Sequence, residues 1–303
     1  MFGRRDLMKV AIAGASGLIG KALNQYLTSK GHLVTALKRG SGDKVYENFD
    51  VTTAANFDAV VNLAGENIAG KRWTSEQKQL ILESRKRATT YLAEQIQAAK
   101  NPIIFISGSA IGYYGNRGNE ILTEDSDAGS GFLAATCVEW EAGAEKARRE
   151  GVRLVKLRTG VVLSKEGGAL NKMLLPFQLG GGGILGSGKQ YMSWIAMHDT
   201  LRVIEFLLTN NVGGAVNMTA PHPVTNAEFT RVMGKVLHRP TILPAPGFGL
   251  KLLLGEMAQE MLLEGSRVLP DKLLKAGFKF ELENLETAIE QEIHGAKELQ
   301  AVV

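Results

Sequence analysis

Residues 10–20 read VAIAGASGLIG, and this stretch decides the fold class of the 303-residue chain. An apolar run ends at Gly14, Gly17 and Gly20 follow at three-residue spacing, and the pattern then becomes helical. A strand that turns at glycines into a helix directs unpaired backbone N–H groups and the positive helix end at one point, which suits a pyrophosphate. Gly14 permits the tight turn, Gly17 lets the backbone approach the phosphates, and Gly20 lets the helix pack on the strand. The spacing also fits a strand-to-helix turn without a ligand, so the loop alone leaves both interpretations open.

Apolar segments alternate with helical patterns over the first half of the chain, which predicts an α/β fold with a Rossmann-type, doubly wound parallel sheet. After Thr159 the composition shifts to glycine-rich loops and helices. We therefore predict a cofactor-binding Rossmann domain at 1–169, with 198–220 returning to it. Residues 170–197 and 221–303 would form a smaller, mainly helical domain on the substrate side. The predicted strands are 9–13, 32–37, 45–49, 58–64, 103–107, 152–158 and 215–219.

Composition and charge exclude several classes of function. The net charge is +4 and the sequence pI about 9.0, but no run of Lys and Arg resembles a nucleic-acid-binding arm, so we predict no nucleic-acid partner. No apolar run is long enough to span a membrane, and we predict neither a membrane partner nor a metal site. The single cysteine, Cys137, excludes an internal disulfide and favours a reducing compartment, with the cytoplasm as the expected location. It is predicted to be a buried apolar residue rather than a nucleophile.

The predicted second strand ends in Lys38 and Arg39, with no acidic residue before Asp43. In a Rossmann fold this strand end faces the adenosine ribose, where an acidic residue binds the 2′-hydroxyl of NAD and a basic one accommodates the 2′-phosphate of NADP. NADP(H) is therefore preferred as the cofactor, although a solvated basic turn is the alternative. Gly65, at the end of the buried strand 58–64, leaves room for a cofactor to cross the sheet.

Longer motifs carry a family resemblance: GASGLIG at 14–20, NLAGENIAGKRW at 62–73, SGSAIGYYG at 107–115, RTGVVL at 158–163 and MLLPFQLGGGG at 173–183. The chain resembles the extended short-chain dehydrogenase/reductase superfamily, in its "epimerase family" branch of nucleoside-diphosphate-sugar epimerase-like proteins. The resemblance covers nearly all of the chain from Met8. It implies that the partner is NADP(H), bound through its pyrophosphate, 2′-phosphate, adenine and nicotinamide. The residues implied to hold it are Gly14, Ser16, Gly17, Leu18, Ile19, Gly20, Lys38, Arg39, Asp50, Leu63, Ala64, Gly65, Arg85 and Val162. Without the resemblance, Arg85 would be interpreted as a solvated helix arginine.

The resemblance also shows where chemistry is missing. Members of the superfamily use a serine with a Y-x-x-x-K pair on the helix after the fifth strand, and the aligned residues here are Phe132 and Thr136, which can supply neither the proton nor the positive charge. Ser109 remains at the serine position and Tyr113 lies just beyond it. We predict that Ser109 orients a substrate oxygen and that Tyr113 donates the proton. The alternative is that both residues only make local hydrogen bonds.

Two functions stay open at this point. The first is an NADP(H)-dependent oxidoreductase or epimerase acting on an unknown small substrate with a non-standard proton donor. The second is a catalytically inactive NADP(H)-binding sensor or scaffold, as a monomer or a homodimer. The arginine and histidine that grip sugar nucleotides in the superfamily are absent at 192–196, which read MSWIA. Tyr191, Trp194 and Met173 suggest a more apolar pocket, unless they belong to the core.

Overall fold

The computed structural model describes residues 7–41, 45–242 and 244–295. The strands are β1 (Lys9–Ala13), β2 (Leu33–Ala36), β3 (Ala59–Asn62), β4 (Ile103–Ala110), β5 (Ile121–Leu122), β6 (Val152–Thr159), β7 (Val161–Leu163), β8 (Tyr191–Met192), β9 (Trp194–Ala196), β10 (Gly214–Met218), β11 (Val224–Thr225) and β12 (Arg267–Val268). The helices are α1 (Leu18–Ser29), α2 (Val51–Ala54), α3 (Ser75–Ala98), α4 (Phe132–Glu145), α5 (Gly168–Gln178), α6 (Met197–Thr209), α7 (Asn226–Val236), α8 (Gly247–Leu254), α9 (Glu256–Ala258), α10 (Asp271–Lys275) and α11 (Leu285–His294). A 3₁₀ turn covers Ile111–Tyr114 and a π-helical turn Gln259–Leu263.

Six parallel strands form the central sheet in the order β2-β1-β3-β4-β6-β10. Alternate residues of β1 point to opposite faces: Val10 and Ile12 belong to a core with α1 and α6, whereas Ala11 and Ala13 belong to one with α3 and α4. Helices therefore cover both faces, as in a doubly wound fold. The predicted fold class is confirmed, and the carboxyl ends of all six strands meet at one edge, where ligands bind in open α/β sheets.

A separate apolar cluster packs α5, β9, α7 and α11 together and includes Phe177, Trp194, Phe229 and Ile289. Short pairings tie this part of the chain to the sheet region: β7 with β9 in parallel, β8 with β11 antiparallel, and β5 with β12 in parallel. The division of the chain into two domains stays a prediction, and its terminal residues 1–6 and 296–303 lie outside the described residues.

The predicted strand at 45–49 is wrong. This segment makes only an isolated bridge between Arg39 and Tyr46. Tyr46 and Phe49 are buried because they pack on α3: the Tyr46 and Tyr91 rings lie 6.1 Å apart, and the Tyr91 hydroxyl donates to the Phe49 carbonyl at 2.7 Å. The apolar pattern came from side-chain packing of a loop rather than from a strand ladder.

Candidate functional site

The loop between β1 and α1 requires glycine at two positions. Gly14 has φ +80°, and a Cβ there would lie 2.7 Å from the carbonyl carbon of Leu63. A Cβ on Gly20 would lie 2.2 Å from the Gly14 carbonyl oxygen, so only glycine lets the helix pack this closely on the turn. The structure therefore brings the N-terminal loop directly against the end of β3.

Gly17 stands at the N-cap of α1 in extended conformation and has no side chain to cap the helix. A Cβ on Gly17 would make only one close protein contact, 3.3 Å to the Gly14 carbonyl oxygen. Ser16 is exposed beside it, and Leu18 and Ile19 are half-buried. The space before the first turn of α1 is open, and its N–H groups and the helix dipole favour an anion there.

The loop after β7 also approaches the start of α1. A Cβ on Gly167 would lie 3.3 Å from the Leu18 side chain, and one on Gly168 would lie 3.8 Å from the Val162 carbonyl oxygen. Val162 itself is half-buried. Leu18, predicted to contact the pyrophosphate, and Val162, predicted to lie near the nicotinamide, thus both lie beside Gly168.

The end of β2 carries exposed cations. The Lys38 N–H donates to Asn48 Oδ1 at 2.8 Å, which fixes the backbone of the turn, while the side chains of Lys38 and Arg39 are exposed. Among the ion pairs of the described residues, none includes either cation. Burial raises the pKa of the neighbouring Tyr46 to about 12, against the opposing effect of Arg39. Asp50 caps α2 by accepting the Thr53 N–H at 2.8 Å, so its predicted position near the adenine is held rigidly.

Arg85 is not a solvated surface arginine. Its guanidinium lies 5.1 Å from the Trp140 ring centroid and donates to the Ile81 carbonyl at 3.0 Å. A Cβ on Gly65 would lie 3.1 Å from this side chain. Burial lowers the pKa of Arg85 below its ordinary value. Leu63 and Ala64, which are half-buried, and the exposed Gly65 therefore run between the glycine loop and a cation that lies over an indole ring.

Ser109 is buried and belongs to an ionic network that sequence reasoning missed. Its hydroxyl donates to Glu141 Oε1 at 2.8 Å. Arg158 holds the same carboxylate through Nε at 2.8 Å and Nη2 at 3.1 Å, and Lys156 lies 3.5 Å from Oε2. Although burial opposes its charge, hydrogen bonding to Glu141 raises the pKa of Arg158. The available signal was the charge within the strand VRLVKLR, but nothing local identified its partner.

The two tyrosines after β4 have different roles. The Tyr114 hydroxyl is buried, donates to Asn217 Oδ1 at 2.6 Å and accepts from Arg158 Nη1 at 2.9 Å. Burial raises the pKa of Tyr114 to about 12, so its role is structural. Tyr113 is half-exposed, with the Arg158 guanidinium 3.5 Å from its ring centroid, and its hydroxyl has no hydrogen-bond partner within the described ranges. Of the two tyrosines, Tyr113 is thus the one that is partly exposed to solvent.

The helix face that lacks the superfamily's tyrosine and lysine is packed differently. Phe132 contacts Trp73 edge-to-face at 5.0 Å, and Lys78 Nζ lies 4.9 Å from its ring centroid. Thr136, one turn later, is buried, and its hydroxyl has no partner in the described part of the chain. Neither residue supplies a group that titrates near neutral pH. Cys137 beside them is buried as predicted, and burial raises the pKa of its thiol to about 11.

A carboxylate from the C-terminal part caps this same helix. The two Glu260 oxygens accept the N–H groups of Phe132 and Leu133, each at 2.8 Å. Gly131, at φ +106°, leaves space for the Glu260 carboxylate, because a Cβ on Gly131 would lie 3.1 Å from Glu260 Oε1.

Replacing Glu260 with alanine is expected to lower the free energy of unfolding by about 1–2 kcal/mol, since a helix N-cap and its charge–dipole interaction are lost together. Urea denaturation would measure the change. The matched control is Glu256→Ala on the same segment, which removes only the exposed ion pair to Lys78 at 2.8 Å and should cost less than about 1 kcal/mol. Equal losses in the two variants would contradict the capping role.

The expected apolar pocket residues separate into two groups. Trp194 is fully buried in the cluster of α5, β9, α7 and α11, and its Nε1 donates to the His222 carbonyl at 3.1 Å, so of the two alternatives, pocket or core, it belongs to the core. Met173 packs against the same cluster. Tyr191 is half-exposed, with the Arg267 guanidinium 5.3 Å from its ring centroid. In the described ranges, no group of three or more potential ligands could hold a metal ion, and no helix is long and apolar enough to cross a membrane.

Comparison with known proteins identifies the family. The model of the NAD dependent epimerase/dehydratase family matches residues 10–219, and a domain of unknown function, DUF1731, matches 245–292. Epimerase family protein Mb2239 of Mycobacterium bovis is 44% identical over 280 residues, covering 89% of this chain and 93% of the relative. Human epimerase family protein SDR39U1 is 35% identical and covers 94% and 99%.

Solved structures agree with the fold. The crystal structure of human SDR39U1 (isoform 2) with NADPH matches at a TM-score of 0.87 and 35% identity, covering 95% of this chain and 99% of that one. A nucleoside-diphosphate sugar epimerase from Corynebacterium glutamicum matches at 0.78 and 31% identity, covering 97% of this chain and 62% of that one. The cofactor predicted from Lys38 and Arg39 is the one present in the human structure.

Proposed function

The chain belongs to the NAD-dependent epimerase/dehydratase family, and from that premise we propose that it is an NADP(H)-dependent oxidoreductase or epimerase acting on a small carbonyl or hydroxyl compound. The observation that carries the proposal is the open, glycine-bounded start of α1, with two exposed cations at the end of the neighbouring strand β2. This cradle fits the pyrophosphate and 2′-phosphate of the cofactor. The remaining cofactor residues of the sequence analysis are proposed in the same roles.

NADP(H), when bound, supplies or accepts the hydride. The chain's own part is to hold the substrate oxygen and to move one proton. Tyr113 is the proton donor to a substrate oxygen, because its hydroxyl is unpaired in the described chain and its ring is fixed under Arg158. The Ser109 hydroxyl donates its hydrogen bond to Glu141, so its role toward the substrate is that of an acceptor, of a hydrogen bond from a substrate hydroxyl.

A second function, an NADP(H)-binding sensor or scaffold without turnover, is favoured by two observations. Phe132 and Thr136 supply no group that titrates near neutral pH, and Ser109 is engaged with a buried carboxylate. Measurable turnover of any metabolite at an ordinary enzymatic rate would exclude it. Its own expectation is tight NADPH binding with no turnover across a broad panel of carbonyl compounds.

Replacing Arg39 with aspartate is expected to weaken NADPH binding at least about tenfold without weakening NADH binding, because an acidic residue at this strand end can accept a hydrogen bond from the 2′-hydroxyl of NADH. A charge-assisted hydrogen bond contributes about 1.5–3 kcal/mol, and only NADPH has the 2′-phosphate that Arg39 would contact. Fluorescence titration with both nucleotides measures the effect. Lys100→Asp, an exposed charge reversal at the end of α3, is the control. Unchanged NADPH affinity in Arg39→Asp would show that the 2′-phosphate lies elsewhere.

The proton-transfer assignment is tested on any carbonyl compound that supports NADPH oxidation. Tyr113→Phe is expected to lower kcat about 100-fold or more, because positioned general acids contribute about 10²–10⁴-fold. With a carbonyl compound that also carries a hydroxyl group, Ser109→Ala should slow the reaction less than Tyr113→Phe, since it removes a hydrogen bond from that hydroxyl but not the proton donor. Stopped-flow absorbance of NADPH gives both rates. Normal rates in both variants would remove these residues from the reaction.

The location and assembly of the chain remain proposals. A single, buried cysteine is suited to a reducing compartment such as the cytoplasm. The Arabidopsis thaliana relative, 39% identical, is named as chloroplastic. Monomer and homodimer are both compatible with the proposed chemistry.

A further inference from the structure

Arg267 on β12 is a half-buried arginine without an acceptor. Its guanidinium forms neither a hydrogen bond nor an ion pair with any described residue. The other arginines of the described ranges that are buried or half-buried each donate to a carboxylate or a carbonyl oxygen. They are Arg85, Arg117, Arg149, Arg153, Arg158 and Arg202. A guanidinium withdrawn from water without an acceptor is unfavourable, and a bound anion would supply the acceptor.

The guanidinium of Arg267 lies over an aromatic ring and remains accessible. The ring is that of Tyr191, whose centroid is 5.3 Å away and whose hydroxyl has no hydrogen-bond partner among the residues described. Arg267 Nε is fully buried, whereas the two Nη groups, equally without a partner, are not, so a ligand can reach them. A guanidinium that lies on a tyrosine ring presents a planar fork of donors, which matches a carboxylate or a phosphate.

Buried hydrogen bonds join the two backbone segments that carry this pair of side chains. The Ser193 hydroxyl donates to the Ser266 carbonyl at 2.7 Å and accepts from the Val268 N–H at 2.9 Å. Gly265 packs on Tyr191 so closely that a Cβ on this glycine would overlap the Tyr191 carbonyl oxygen. The donors are therefore positioned before a ligand binds, which reduces the entropy lost on binding.

The segment that carries Arg267 adjoins the candidate reaction centre. The Ser266 hydroxyl donates at 2.5 Å to the carbonyl of Gly115, which directly follows the 3₁₀ turn that includes Tyr113. Tyr113 also packs against the apolar cluster that includes Val268. Neighbouring residues of a strand point to opposite sides, so Arg267 faces away from this cluster. It would hold a part of the substrate that is removed from the reacting oxygen.

We propose that Arg267 and Tyr191 bind an anionic group of the substrate, a carboxylate or a phosphate. The Nη groups pair with oxygens of that group, and the Tyr191 hydroxyl donates a further hydrogen bond to it. The inference rests on the proposed function, because it gives the chemical class of the substrate of that same reaction. This substrate is a small carbonyl or hydroxyl compound with a negative charge at a distance from the reacting oxygen.

Three ligands with the same three-carbon body test the need for charge: glycerol 3-phosphate, glycerate and glycerol. The full chain is saturated with NADP⁺, which fills the anion sites of the cofactor, and is then titrated calorimetrically. At least one anion is expected to bind about tenfold or more tightly than glycerol, as for a charge-assisted hydrogen bond. Comparison of the two anions identifies the group recognised. Binding of neither anion, or glycerol binding as tightly as both, would overturn the proposal.

Variants of the two side chains test the location of the anion. Arg267→Met keeps an aliphatic stem without the charge, and it should abolish the preference for the anion over glycerol. Tyr191→Phe keeps the ring and should weaken anion binding about threefold or more. The matched control is Arg231→Met, an exposed arginine on α7, which should bind as the unmodified protein does. A preference that persists in Arg267→Met, or an equal loss in Arg231→Met, would place the anion elsewhere.

Thermal melts distinguish a binding role of Arg267 from a structural one. Because this guanidinium donates to no described residue, Arg267→Met removes a cation–π contact and should change the melting temperature by no more than about 2–4 °C. A larger fall would show that Arg267 supports the fold instead. NADPH titration of the unmodified protein is a separate measurement, and its failure would contradict the proposed function. Absence of an anion preference in a protein that binds NADPH would overturn this inference alone.

Discussion

Replacing Gly17 with alanine is expected to leave the fold intact and to weaken NADPH binding about 100-fold or more. The new methyl group meets only the Gly14 carbonyl oxygen, at 3.3 Å, so the turn has to shift by a few tenths of an ångström, and extended backbone at φ −73° suits alanine. The same methyl group occupies the space before the first turn of α1, where the pyrophosphate would accept backbone N–H groups. Losing two such charge-assisted bonds, at about 1.5–3 kcal/mol each, corresponds to the expected loss in affinity.

Variants of two further glycines distinguish a loss of NADPH binding from a loss of stability. Gly20→Ala would place its Cβ 2.2 Å from the Gly14 carbonyl oxygen, so it should lower the melting temperature as well as the affinity. Gly70→Ala, whose nearest contact would be an ordinary 3.5 Å to Asn67, should change neither. Calorimetric titration with NADPH measures the affinity of each variant, and a thermal melt measures its melting temperature. NADPH binding by Gly17→Ala at the strength of the unmodified protein would show that this loop does not hold the pyrophosphate.

Replacing Arg158 with methionine is expected to destabilise the protein by about 3–5 kcal/mol. The substitution leaves the Glu141 carboxylate buried without its bidentate partner, and breaking a buried pair from one side costs this much. It also removes the cation that covers the Tyr113 ring, so kcat should fall in this variant as it does in Tyr113→Phe. Urea denaturation measures the free energy of unfolding.

The double variant Arg158→Met/Glu141→Gln identifies the cause of the stability loss in Arg158→Met. With no buried charge left unpaired, most of the lost stability should return, while the defect in kcat remains because Tyr113 is still uncovered. The control is Arg148→Met, which removes an exposed ion pair to Glu145 at 2.7 Å and should cost less than about 1 kcal/mol. A double variant that is no more stable than Arg158→Met would mean that Arg158 acts through packing rather than charge.

The parts of the site that follow a local rule could be predicted from the sequence. Gly14 and Gly20 have contacts that exclude any side chain, and the strand-turn-helix pattern around them is decided within a dozen residues. The capping box of Thr225 and Glu228 at the start of α7 is equally local, because its two partners lie three residues apart. In such cases the residue type and its spacing determine the geometry without reference to the rest of the chain.

The parts that depend on distant partners could not be predicted. Glu141 and Arg158 meet across a helix and a strand, and Glu260 reaches the start of α4 from 128 positions along the chain. For Trp194 the sequence left two alternatives open, a pocket or the core, and the strand β9, paired with β7, places it in the core with no exposed surface. Tertiary contacts determine the environment of these side chains, and the local periodicity of the sequence does not indicate those contacts.

The central claim is that the start of α1 and the end of β2 together hold NADP(H) in preference to NAD(H). Parallel titrations of the unmodified, full-length protein with NADPH and NADH test it most directly. The account predicts that NADPH binds at least about tenfold more tightly, because the 2′-phosphate adds a charge-assisted contact to Lys38 and Arg39. Equal affinity for the two nucleotides, or binding of neither, would contradict it.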